Sequence, residues 1–86
     1  MSLEDLRRRI NEVDARIVEA LAERVRIVKL IREIKEKEKK PLLDSAREKE
    51  VIEKVRRRAE MLSLDPELAE TIFRVIILAS IREQVI

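Results

Sequence analysis

Arg24 interrupts an otherwise apolar stripe along the first third of the chain, and Arg7 and Lys35 edge onto the same face. Cations on a surface that must be buried are costly unless something anionic meets them. The last third repeats the anomaly: Ser80 lies four residues after Ile76, and Gln84 four after Ser80, so hydrogen-bonding groups continue an apolar stripe. Between them Asp44, Arg47 and Glu48 cluster at the start of a middle segment, where a helix also leaves backbone N–H groups free. Each has a bland reading alone. An Arg can snorkel, Asp44 can be a cap, Glu48 can complete a capping box with Ser45, Arg47 can be its surface partner, and Ser80 and Gln84 can be a tolerated small residue and a wet end. Jointly, several cations, a carboxylate, a hydroxyl and an amide interrupting core stripes point to a polar pocket for a small, multiply anionic ligand.

The elements that must position these groups are three helices in an all-α chain, one long and two shorter. From Ser2 to about Lys39, apolar residues fall at Leu3, Leu6, Ile10, Val13, Ile17, Leu21, Val28 and Ile31, in steps of three and four with one doubled step over Arg24. That spacing makes one buried stripe on a helix. Ser2 is the expected N-cap, Glu4 and Asp5 suit the first turn, and Pro41 ends the helix before it. Asp44 or Ser45 caps a second helix reaching about Met61, whose apolar face is Val51, Ile52, Val55, Ala59 and Leu62. Asp65-Pro66-Glu67 opens a third, which runs to near the end and is the most apolar. Residues 1–86 form a single domain.

Composition excludes much. With no cysteine and no histidine, disulfides, thiolate or imidazole metal sites and the commonest general base are absent. No metal and no cofactor are expected. Twenty basic and eighteen acidic residues leave a net charge of +2, which fits solvated helix faces; Glu23, Glu33, Lys37 and the Arg56–Arg57–Arg58 run are assigned to them. Interleaved charge and the lone aromatic Phe73 argue against a nucleic-acid partner. No apolar run is long enough for a membrane and no signal pattern opens the chain, so a soluble, cytoplasmic protein is expected. A helix of about 37 residues is roughly 55 Å long, whereas a compact chain of this size has a radius of gyration of about 12 Å. The far part of the stripe therefore needs a second chain. An intertwined homodimer and a plain antiparallel coiled coil both satisfy that arithmetic.

The ordered motifs are an arginine after the first leucine pair, the Ile10-x-x-x-Asp14 step, Ala22-Glu23-Arg24, Lys35, Asp44-x-x-Arg47-Glu48 and Ser80-x-x-x-Gln84. Together they resemble the all-helical (AroQ-type) chorismate mutases over essentially the whole chain. The resemblance implies an intertwined homodimer of three-helix chains that rearranges chorismate to prephenate. That pericyclic reaction needs no nucleophile, metal or proton transfer, so the missing His and Cys are no handicap. By the same resemblance Arg24 and Lys35 line the pocket from their own chain and Arg7 reaches in from the partner. The arginines hold the substrate carboxylates, and Lys35 and Gln84 donate to the ether oxygen. Glu48, with Asp44, positions the ring hydroxyl. Ser80 and Arg47 complete the carboxylate contacts, and Val28, Ile31 and Ile77 form apolar walls.

Two departures stand out: Arg32 follows Ile31 where many relatives carry a small residue, and the chain stops two residues beyond Gln84. The nearest alternative is an isochorismate-pyruvate lyase of the same fold, against which the Glu48 carboxylate argues. A non-catalytic or regulatory helical assembly module is the alternative of another class.

Overall fold

The computed structural model describes residues 1–85, with side chains through residue 82. Three helices follow in order: α1 Leu3–Lys37, α2 Ser45–Met61 and α3 Pro66–Val85. Among the described residues there is no strand, and no helix is long and apolar enough to cross a membrane.

Local chemistry explains each boundary. Ser2 caps α1 reciprocally: its hydroxyl accepts from the Asp5 N–H at 3.1 Å, while the Asp5 carboxylate accepts from the Ser2 N–H at 3.3 Å. At the other end α1 stops at Lys37, two residues before the sequence suggests. Lys39 turns left-handed at φ 56°, and the Lys40 N–H reaches back to the Lys35 carbonyl at 2.8 Å. This is a Schellman closure made without glycine, and it ends the helix before Pro41 can. The end of α2 repeats it, with Ser63 at φ 57° and the Leu64 N–H on the Ala59 carbonyl at 2.9 Å. For α2 the cap is Asp44, which accepts from the Arg47 N–H at 3.0 Å. The Ser45–Glu48 capping box does not form, because the cap lies one residue earlier. Asp65 accepts from the Glu67 N–H at 2.9 Å and starts α3 at Pro66.

α3 packs against both α2 and the C-terminal part of α1, whereas α1 and α2 do not close on each other. The apolar core is small: Val28, Ile52, Ala59 and Ala69 are its buried members. Every residue from 1 to 23 is exposed, including the whole stripe from Leu3 to Leu21. The molecule is accordingly elongated, 55 × 23 × 16 Å, its long axis set by α1.

The Arg56–Arg57–Arg58 run, assigned by sequence to solvent, needs correction at Arg56. Its guanidinium donates to Glu67 and Glu70 at 2.8 Å each, and Glu70 also accepts from Arg74, so the group staples α2 to α3. Solvated-face spacing within α2 could not reveal partners on α3. Hydrogen bonds from Arg74 and then Arg56 hold the Glu70 carboxyl below the usual carboxylate range. A folded pKa below the unfolded value of about 4.3 stabilises the fold above that value and is lost as pH falls through the folded pKa. Glu70→Gln should therefore melt below the wild type at about pH 6 and converge with it in acid, as followed by circular dichroism. Parallel pH curves would remove Glu70 from the account.

Candidate active site

The gap left between α1 and α2, floored by α3, is a cleft of about 150 Å³. α1 contributes Arg24, Val28, Ile31 and Lys35, at the i, i+4, i+7 and i+11 positions of one helical face. The first two turns of α2 contribute the cap Asp44, then Arg47, Glu48 and Val51; α3 contributes Ile77, Ser80 and Ile81. The residues singled out from three separate stretches of sequence are thus brought together, with two exceptions. The Gln84 side chain lies outside the described residues. Arg7 is 17 residues before Arg24, roughly 25 Å away along the helix. It is exposed, beside a shallow concavity with Leu3, Leu6, Ile10 and Asn11.

Sequence reasoning missed two walls, Val51 and Ile81. Both carry a signal: Val51 is four residues after Arg47 and Ile81 four after Ile77, each on a face already marked.

All but one of the cleft's polar side chains are individually tethered. Arg24 donates to the Ser80 hydroxyl, which in turn donates to the Ile76 carbonyl at 2.9 Å. Ser80, only 8% exposed, is thereby satisfied on both sides. The Lys35 ammonium donates to the Leu42 carbonyl at 2.8 Å. Asp44 is occupied by its capping bond. Arg47 pairs at 2.8 Å with Glu50, which also takes Lys54, and not with the neighbouring Glu48. Glu48 is half-buried and its carboxylate has no partner among the described residues.

The electrostatics follow from that inventory. Burial, and after it the nearby charge of Arg47, pushes the Arg24 guanidinium below its ordinary pKa. Two guanidiniums repelling across a cleft, with Lys35 between the helices, are arranged to receive anionic groups. Glu48 supplies the opposite requirement, an acceptor for a ligand donor such as a hydroxyl. Ser80 has no adjacent base, so nothing here activates it as a nucleophile. Among the described residues, no group of three or more Asp or Glu side chains is placed to hold a metal ion.

A roomier groove of about 460 Å³ runs alongside, between α2 and α3, and shares Glu48, Ile77 and Ile81 with the cleft. Its other charged lining residues, Lys49, Glu53 and Arg74, are mixed in sign. It lacks the convergent cations, so size does not mark the chemistry here.

Comparison with known proteins agrees with this geometry. The chain matches the family described as chorismate mutase type II over residues 6–85. It is 31% identical over 75 residues to a Methanocaldococcus jannaschii protein named chorismate mutase, covering 87% of this chain and 76% of that protein. A family match spanning nearly the whole chain, on a three-helix fold with a cation-lined cleft, leads to one conclusion: this chain belongs to the chorismate mutase type II family.

Proposed function

We propose that this chain is a chorismate mutase, an isomerase that converts chorismate to prephenate, working in the cytoplasm as an intertwined homodimer with shared sites. The observation that carries the reading is the cleft, where Arg24, Lys35, Arg47 and Glu48 from two helices converge over Ser80 of a third. The reaction is a Claisen rearrangement. The ether C–O bond breaks as a new C–C bond forms within one molecule, and no proton, electron or leaving group is exchanged. The work left to the protein is to hold a reactive conformer and to stabilise charge as it develops.

In this reading Arg24 and Arg47 grip the substrate carboxylates. Lys35 and Gln84 donate to the ether oxygen, which gains negative charge in the transition state, and Glu48 with Asp44 holds the ring hydroxyl. Val28, Ile31, Val51, Ile77 and Ile81 exclude water and strengthen each charged contact.

The homodimer rests on three features. The cleft, at about 150 Å³, is smaller than usual ligand pockets of about 300 Å³ and above, which fits a site completed by a second chain. The apolar stripe from Leu3 to Leu21 is uncovered, and the small core of one chain is little to hold a fold of this length. The C-terminal half of α1 also carries a second exposed apolar face, Ile27, Leu30 and Ile34. Antiparallel pairing of two α1 helices sets the stripe of one beside that face of the other and brings the partner's Arg7 to the open side of the cleft.

The first test is the assay of purified protein on chorismate and on isochorismate. Prephenate formation is expected to dominate, and faster pyruvate release from isochorismate would overturn the reading in favour of a lyase. The shared site is tested by mixing. Arg7→Ala and Lys35→Ala proteins should each be nearly inactive, and together regain about a quarter of wild-type activity by random pairing of subunits. No recovery in verified heterodimers would mean each site belongs to one chain.

A further inference from the structure

We propose that the turn between α1 and α2 is a positioning device for the Lys35 ammonium, with the Leu42 backbone carbonyl as the group that aims it. The proposal rests on the mutase reading and adds to it a group outside the substrate contacts.

Lys35 is bonded at both ends to the segment that follows it. Its own carbonyl accepts from the Lys40 N–H at 2.8 Å, and its side chain donates to the Leu42 carbonyl at 2.8 Å. Between these two bonds the chain passes through the left-handed Lys39 and through Pro41, whose ring fixes φ. The path from Lys35 to Leu42 is thus a closed loop with little freedom to move its last carbonyl. A lysine side chain has four rotatable bonds and loses much of its freedom when held. One of its three N–H donors, spent on a fixed acceptor, sets the direction of the other two. Lys35 lines the cleft, in which, on the mutase reading, a donor must meet an oxygen only as that oxygen becomes charged. Preorganisation of that kind lowers the barrier without tightening ground-state binding.

The turn after α2 supplies an internal comparison. Ser63 is left-handed in the same closure, yet neither it nor Leu64 lines the cleft. Strain at that turn affects only folding.

The direct test weakens the acceptor alone. In full-length protein made by ligation, the peptide bond between Leu42 and Leu43 is replaced by an ester, whose carbonyl is the poorer acceptor. The Leu43 N–H that is lost bonds to no other group among the described residues. The expected result is a fall in kcat of about fivefold, because the ester weakens a charge-assisted hydrogen bond without abolishing it, with KM and melting temperature close to wild type. An unchanged kcat, or a loss expressed in KM alone, overturns the proposal. A second comparison uses Lys39→Val and Ser63→Val, which place a β-branched residue at positive φ. Both should melt earlier, but only Lys39→Val should lose kcat, and Lys39→Gly should keep it. Equal kcat in the two valine variants overturns the proposal while leaving the mutase reading intact. A wild-type protein that forms no prephenate overturns both.

Discussion

Lys35→Ala is expected to lower kcat/KM for prephenate formation by about a hundredfold or more, the roughly 3 kcal/mol lost when a key donor to a developing oxyanion is removed. The half-buried ammonium sits in the cleft wall, bonded to Leu42 and facing the space the substrate would fill. In the proposed mechanism its contribution grows as the ether C–O bond lengthens and the oxygen becomes anionic, so most of the loss should fall on kcat and little on KM. Folding should be nearly unaffected. Leu42 is only half-buried, so water can take the place of the lost donor. Circular dichroism and the oligomeric state would check that the variant is intact, and steady-state kinetics would read the effect. Wild-type-like turnover by a folded Lys35→Ala protein would remove Lys35 from the mechanism. A loss confined to KM would leave it only a carboxylate-binding role.

The contrast between Lys35 and Arg56 shows what sequence can convey about such a site. Lys35 stands on a regular stripe, and periodicity alone marks it as misplaced; so too Arg24 and Ser80. Their convergence in one cleft follows once the three helices pack, since each stripe must turn toward the same small interior. Arg56 borders the α2 stripe, four residues after Ile52 and three before Ala59, but spacing within α2 cannot name its partners. Its partners Glu67 and Glu70 lie on another helix, and only the crossing of α2 and α3 makes them neighbours. The choice of Asp44 over Ser45 as the cap was also open. Both residue types cap well, and a shift of one residue changes which N–H is met. The Leu42 carbonyl was invisible for a deeper reason: every residue has a backbone carbonyl, so its placement by the Lys39 turn leaves no mark in residue types. Arg7 is the converse case. Its spacing puts it at the edge of the stripe, while roughly 25 Å of helix separates it from the cleft of its own chain. A role for it in the site depends on a second chain.

Arg24→Met should do two opposite things, raising stability while lowering kcat/KM by about a hundredfold or more, the effect of losing a preorganised electrostatic contact. Arg24 occupies a stripe position among Val28, Ile31 and Ile77, half-buried and repelled by Arg47, so its charge is held at a cost. Methionine keeps a similar length, suits an apolar wall and removes both desolvation and repulsion. The neighbouring hydroxyl is not orphaned, because Ser80 still donates to the Ile76 carbonyl. A net gain of about 1 kcal/mol would raise the melting temperature by roughly 4–8 °C for a domain of this size. The same replacement deletes one of the guanidiniums proposed to meet the substrate carboxylates, so activity should fail as the fold improves. The pair of measurements separates a binding cleft from a merely tolerated arginine. If stability and activity both fell, Arg24 would be a structural hydrogen-bond donor to Ser80. If stability rose and activity held, the cleft would not be where the substrate binds.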